Sequence, residues 1–255
     1  MLAGGMLLAN GAAPAETRVD LALVLAVDVS FSMEPDEPDL QRHGFAEALQ
    51  SPEVHRAIRQ GMLGRIAVVY LEWSGAFDQQ IVVPWTIIEQ PADGVAFAER
   101  LSRSPVHRMG YTSISGGIDF GVRQLRQSGV QADRQVIDIS GDGANNTGRT
   151  VTPARDGVLT QGITINGLPI MLKRPDGIWD IDNLDLYFRD CVIGGPEAFL
   201  VPVREKAHFI KAITAKIIRE ITDQWQPRSL LQPAQADAST NCLAGERRRH
   251  QPTAR

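Results

Sequence analysis

Short apolar runs punctuate the chain, each stopping abruptly at a cluster of polar residues. Leu21 to Val27 (LALVLAV) is apolar throughout and reads as a strand buried on both faces, as in a parallel sheet. Ile66 to Trp73 (IAVVYLEW) and Gln79 to Ile88 carry β-branched and aromatic residues, and Gly75 lies between them. Together they predict a hairpin. Pro84 falls inside the second strand. Proline cannot donate to a ladder, so that strand belongs at a sheet edge. Arg134 to Ile139, Ile163 to Met171 and Phe199 to Val203 complete the predicted strands, the last being the final one.

Helical patterns fill the intervals. Asp39 to Leu49 reads as a helix. Ser51-Pro52-Glu53 starts another, a cap residue followed by proline at the first helical position, which runs to Gly61. Pro91 to Ser102 is helical. A further helix opens at Gly110-Tyr111-Thr112-Ser113, where Thr112 or Ser113 can cap it. Its Ile114, Ile118, Val122 and Leu125 recur at helical spacing. Ala154 to Gln161 and Asn183 to Arg189 are shorter helices. Arg204 to Trp225 is the clearest, with Phe209, Ile213, Ile217 and Ile221 in one stripe. Beyond Pro227 large apolar residues are few, which predicts a disordered tail over 227–255. Alternating strands and helices predict an α/β fold: a doubly wound, mostly parallel sheet with one antiparallel edge strand and helices on both faces. Ligands of such sheets bind beyond the carboxyl ends of the strands.

Composition narrows the picture. Of 255 residues, 43% are hydrophobic and 22% charged, which suits one sizeable α/β domain, assigned to 16–226. A net charge of −4 gives no case for a nucleic-acid partner. No apolar run reaches the roughly 18 residues that a membrane span needs. Met1 to Leu8 is apolar, and Ala13-Pro14-Ala15 has the small-x-small pattern of a signal-peptidase site. Residues 1–15 therefore read as a truncated signal peptide, and the protein as periplasmic or secreted. Cys191 and Cys242 are the two cysteines, too few for a disulfide framework or a metal cluster. Whether they pair stays open, because Cys242 falls in the predicted tail.

The chemistry gathers at the strand ends. Asp28, Ser30 and Ser32 alternate directly after the first strand. Asp142 follows another strand, within Ser140-Gly141-Asp142-Gly143. Thr112 opens a helix that starts from the same rim. A buried strand ending in a carboxylate and two hydroxyls is a costly way to make a turn, and oxygen ligands suit a hard cation such as Mg²⁺. Glu34, Asp36, Glu37 and Asp39 admit a second cation, although acidic residues are also favoured at a helix N-terminus. Trp73 reads as a strand aromatic or an interface anchor. Glu72 and Asp78 flank the predicted hairpin turn on the same rim. His107 and Arg108 precede the Thr112 loop, and Asn145 and Asn146 read as turn residues.

Asp28-Val29-Ser30-Phe31-Ser32 resembles the DxSxS element of von Willebrand factor A domains, which begins their metal-ion-dependent adhesion site. Gly110-Tyr111-Thr112 resembles the second loop of that site, and Ser140-Gly141-Asp142-Gly143 the third. The resemblance covers Val19 to Trp225 and extends to the order of elements. More narrowly, the chain resembles a bacterial branch of small exported proteins with little beyond this one domain. The resemblance implies that Ser30, Ser32 and Thr112 offer hydroxyls to Mg²⁺, Mn²⁺ or Ca²⁺, with Asp28 and Asp142 acting directly or through water. It implies a protein partner whose acidic residue completes the coordination, and no catalytic residue. Two alternatives remain. One is a scaffold with an unused metal site. The other is a phosphohydrolase of haloacid-dehalogenase type. In the latter Ser30 would occupy the place of the acid/base aspartate, which a serine cannot replace at neutral pH, and no partner lysine is evident.

Overall fold

The computed structural model describes residues 16–173, 175, 180–222, 232–233 and 240–249. The expected signal peptide, Trp225 and much of the expected tail lie outside them. Among the described residues seven strands form one sheet: β1 (Thr17–Asp28), β2 (Ile66–Trp73), β3 (Gln79–Ile88), β4 (Val130–Gly141), β5 (Thr164–Pro169), β6 (Phe199–Leu200) and β7 (Gln232–Pro233). Their order is β3-β2-β1-β4-β5-β6-β7. β1 pairs in parallel with β2 on one side and β4 on the other, and β5 and β6 continue in parallel. β3 is antiparallel and lies at the edge, and Pro84 falls in an irregularity of the register between the Val68–Thr86 and Tyr70–Val83 pairs, a place that tolerates a missing amide donor. At the opposite edge, β7 adds a two-residue antiparallel pairing. The strand around Phe199 is therefore not the final one.

Strand alternation divides the core. Leu21, Leu23, Leu25 and Val27 face one side and Ala22, Val24 and Ala26 the other, as a side-chain period of two requires. The first face packs under α1 (Glu37–Gln50), α2 (Pro52–Arg59), α3 (Pro91–Arg103) and α7 (Phe209–Thr222). The second packs under α4 (Ile114–Arg126), α5 (Val151–Leu159) and α6 (Leu184–Tyr187). Helices on both faces explain why β1 and β2 are apolar almost without interruption.

Several expected boundaries move by a few residues. Ser51 caps α2 by accepting from the Val54 amide, as expected. The helix expected over Asn183–Arg189 is a single α turn followed by a π segment, Phe188–Val192. The helix expected from Arg204 begins with a 3₁₀ turn, Lys206–His208, before α7. Its stripe of Phe209, Ile213, Ile217 and Ile221 is buried. Lys216, on the same helix, is buried as well. It pairs with Asp138 at 2.8 Å and Glu220 at 2.6 Å, and Asn166 donates to Glu220 at 2.6 Å.

The expectation of a disordered tail fails for 240–249. Cys242 forms a disulfide with Cys191, and a short helix, α8 (Ala244–Arg249), follows it. Composition could not reveal this, because the anchor is a cross-link to a distant cysteine rather than an apolar stripe.

Candidate metal centre

The carboxyl ends of β1 and β4 are neighbours in the sheet, and this adjacency brings the predicted residues together. Asp28 ends β1, and its Oδ1 accepts from the Ser30 amide at 2.8 Å. The turn thus closes on the carboxylate and aims the next two hydroxyls along one rim. Ser30 Oγ and Ser32 Oγ lie 2.7 Å apart, Ser32 Oγ donates to Asp142 Oδ1 at 2.6 Å, and Thr112 Oγ1 lies 3.3 Å from Ser30 Oγ. Of the two possible caps of α4, Ser113 fills the role, accepting from the Gly116 amide. The Thr112 hydroxyl is left for the rim. Loop one also pairs with loop two, through Phe31 N to Met109 O and Met109 N to Val29 O.

Burial makes this cluster electrostatically tense. Asp28 is fully buried and its Oδ2 has no hydrogen-bond partner. Burial first, then the nearby charge of Asp142, hold the Asp28 carboxyl well above the usual carboxylate range. Asp142 is raised by burial too, in spite of Lys173. Gly141 matters here: a Cβ at that position would stand 3.0 Å from Asp28 Oδ2, crowding that unpartnered oxygen.

Several residues proved more important than their sequence context indicated. Lys173 was not foreseen. Its Nζ lies 3.0 Å from Asp142 Oδ2 and 3.4 Å from Asp180 Oδ1, and it donates to the Ser32 carbonyl at 2.6 Å. Glu37 is not one more solvated acid. It is buried, Oε2 accepts from the Glu34 amide, Oε1 has no partner, and burial raises its pKa. Glu34, Asp36 and Asp39 are exposed, and Asp36 pairs with Lys206.

Asn145 and Asn146 are more than turn residues. Asn146 brackets Thr112, with Oδ1 accepting from the Thr112 amide at 2.9 Å and its own amide donating to the Thr112 carbonyl at 2.8 Å. Asn145 is fully buried and accepts from Ser115 N. Such hubs carry no local sequence signal beyond Asp-Gly-x-Asn-Asn, because their partners lie about 30 residues away.

Trp73 is wholly buried, so it is a core aromatic and not an interface anchor. Glu72 is buried in an ion pair with Arg42 at 2.6 Å. Asp78 is half-buried and shares a shallow cleft with Glu72, exposed His107 and Met109. Arg108 braces loop one, donating to the Met33 carbonyl and lying over the Phe31 ring.

The oxygen set fits a hard divalent cation. It comprises three hydroxyls and two carboxylates, and within it Asp28 Oδ2 has no hydrogen-bond partner, at a site where two buried acids repel. No cluster of three or more His, Cys, Asp or Glu side chains suited to a metal occurs among the described residues. Among the described residues no helix is long and apolar enough to cross a membrane.

Comparison with solved structures agrees with this architecture. A von Willebrand factor type A protein from Catenulispora acidiphila is 15% identical, with a TM-score of 0.53, over 80% of this chain and 43% of that one. The pilus adhesin SpaC from Lactobacillus rhamnosus GG is 14% identical, with a TM-score of 0.57, over 80% and 30% respectively. Proximal thread matrix protein 1 of the mussel byssus, described as having a zinc-occupied MIDAS motif, is 10% identical, with a TM-score of 0.53, over 78% and 46%. This chain thus spans less than half the length of each of these proteins, and the likeness is one of fold: a von Willebrand factor A-like α/β domain. No curated protein matches the sequence. Residues 18–225, most of the chain, match the family described as "Protein of unknown function (DUF1194)", and the chain belongs to that family.

Proposed function

We propose that the protein is a metal-dependent interaction module. Asp28, Ser30, Ser32, Thr112 and Asp142 would hold a divalent cation at the carboxyl edge of the sheet. The observation that carries this reading is the buried, unpartnered Asp28 Oδ2 beside three converging hydroxyls. A cation would satisfy that oxygen and relieve the repulsion between Asp28 and Asp142. Bound there, it would supply electrophilicity. Neutral hydroxyls leave its charge only partly compensated, so an acidic side chain of a protein partner is the ligand it would attract. The protein's own part is to orient the hydroxyls, exclude bulk water from Asp28 and hold the loops in register. Mg²⁺ suits the all-oxygen set, with Mn²⁺ and Ca²⁺ as neighbours in chemistry. The zinc-occupied motif in the byssus protein supports a divalent site in this fold. A disulfide between the only two cysteines supports an exported protein, since such bonds persist in oxidising compartments.

Calorimetric titration of Mg²⁺ and Mn²⁺ into chelator-treated protein tests the site. One-site binding weakened by both Asp28→Ala and Thr112→Ala is expected. Absence of binding by the folded wild type would leave a scaffold with an unused site and sink the proposal. Capture of an acidic partner with and without chelator then tests the module.

Lys173 keeps a second reading in view, because it supplies the lysine that the phosphohydrolase alternative lacked. Ser30 still stands where that chemistry needs an acid/base carboxylate. Turnover of p-nitrophenyl phosphate that is abolished by Asp28→Asn would favour the enzyme.

A further inference from the structure

The segment 240–249 has no place in a minimal reading of the metal rim, yet it touches two of its three loops. Helix α8 has six residues, three of them consecutive arginines. A helix that short does not hold itself together in water. It is held by the Cys191–Cys242 disulfide, whose buried end lies in the π segment, and by Thr240, which bonds Asp190.

What α8 does with that anchorage is specific. Asn145 Nδ2 donates to Glu246 Oε1 at 2.9 Å. Arg249 donates to Thr147 Oγ1 at 2.6 Å and lies 5.0 Å over the Tyr111 ring. Gly245 packs so closely that a Cβ there would stand 2.1 Å from the Asn145 carbonyl oxygen. Tyr111 itself has a positive φ of 68°, a conformation that a bulky residue keeps only under outside constraint. It is the residue immediately before Thr112.

We propose that α8, stapled by Cys191–Cys242, is a clamp on the second and third loops of the rim, so that cation affinity depends on the disulfide. This rests on the metal-site reading above. The physical path is short: the disulfide fixes α8, and α8 fixes Asn145 and Tyr111. Asn145 lies three residues after Asp142 in the same loop, and the next residue, Asn146, brackets Thr112. Releasing the cross-link frees α8 and lets the loops that carry Thr112 and Asp142 fluctuate. The binding-competent arrangement is then less populated, and affinity falls by that fraction. A dithiol is a clean probe, since the chain has two cysteines and both are in this bond. A thiolate of the dithiol attacks one sulfur and expels the other as a thiolate. The second thiol then resolves the mixed disulfide, leaving two protein thiols and an oxidised dithiol.

The experiment is Mn²⁺ calorimetry on the full chain in four forms: oxidised, dithiol-reduced, Cys242→Ser, and Glu246→Ala/Arg249→Ala with the disulfide intact. Hydrogen exchange at Thr112 and Asn145 to Thr147 is read alongside. Circular dichroism confirms that each form is folded, and the double variant serves if loss of the cross-link unfolds the chain. The clamp predicts about fivefold or greater weakening on reduction, the range of ordinary coupling between sites. It also predicts a smaller loss in the double variant and faster exchange at those amides. Equal affinity and equal exchange in all folded forms would overturn it. If the oxidised wild type binds no cation, the metal reading fails by itself. Exchange then decides the clamp alone: faster on reduction supports it, unchanged refutes it.

Discussion

Replacing Lys173 with methionine should tighten divalent-cation binding at the Asp28–Asp142 rim. The ammonium sits 3.0 Å from Asp142 Oδ2 with its side chain 23% exposed. Burial pulls the Lys173 pKa down, but Asp142 and Asp180 more than offset this and raise it, so the group is charged at neutral pH. Two unit charges so close attract by about 5 kcal/mol at an effective dielectric of ~20, and by about 1.4 kcal/mol in bulk water. The lysine is partly solvated and can swing outward, so the lower end applies, about 1–2 kcal/mol. An incoming cation must displace that contact or bear its repulsion. Removing it should improve the dissociation constant roughly five- to thirtyfold, since 1.4 kcal/mol is a factor of ten. Calorimetry with Mn²⁺ reads the change. Thermal unfolding supplies a control of opposite sign. Without cation the variant should melt lower than wild type, because Asp142 loses its counter-charge, and added cation should raise its melting temperature by more. Unchanged or weaker affinity in a folded Lys173→Met protein would refute the reasoning. The lysine would then act by holding loop one through the Ser32 carbonyl.

Other consequences are as direct. Glu37→Gln removes a buried carboxylate whose charge acts on Asp28, so cation affinity should fall severalfold while the fold persists; unchanged binding would exclude Glu37 from the field of the site. Asn146→Ala deletes the acceptor of the Thr112 amide. It should weaken cation binding and cost about 1–3 kcal/mol of stability, read by calorimetry and urea denaturation; stability lost without affinity would separate the two roles. Gly94→Ala would set a Cβ 2.3 Å from the Leu49 carbonyl, forcing α3 from α1 at about 1–3 kcal/mol with no effect on cation affinity. Lys216→Met leaves Asp138 and Glu220 buried without their cation, at about 3–5 kcal/mol near neutral pH. Burial already pushes Asp138 up to about 6, and Lys216 opposes that rise; removing it lifts the folded pKa further. An acid raised in the folded state binds its proton more tightly there, so folding loses stability as pH climbs from the unfolded value of 3.8 through the folded one. The deficit should therefore shrink toward pH 4, and an equal deficit in urea melts at acid and neutral pH would count against the network.

Local pattern was enough for the central strands of the sheet, the β3 edge and the strand ends, but not for β7. Leu21 to Val27 and Ile66 to Trp73 are legible because a strand covered on both faces must be apolar at every position. Pro84 marked its strand as an edge because a missing amide donor is a property of one residue. Asp28, Ser30 and Ser32 were legible because they alternate directly after a buried strand. Thr112 and Asp142 could be attached to them because the carboxyl ends of a parallel sheet share one rim. Everything that depends on a distant partner had to wait for the tertiary structure. Lys173 stands in an ordinary turn sequence, and only folding across 31 residues brings its ammonium to Asp142. Glu37 looked like its exposed neighbours until α1 packed it inward. Cys242 and α8 lie in a stretch with no apolar stripe. A covalent bond over a separation of 51 residues, not periodicity, orders them. The sequence alone determined which elements form and which oxygens end them, because strand patterning and turn chemistry act between near neighbours. The tertiary structure alone decided which charges balance those oxygens and what braces their loops, because buried electrostatics and cross-links join residues that the chain keeps apart.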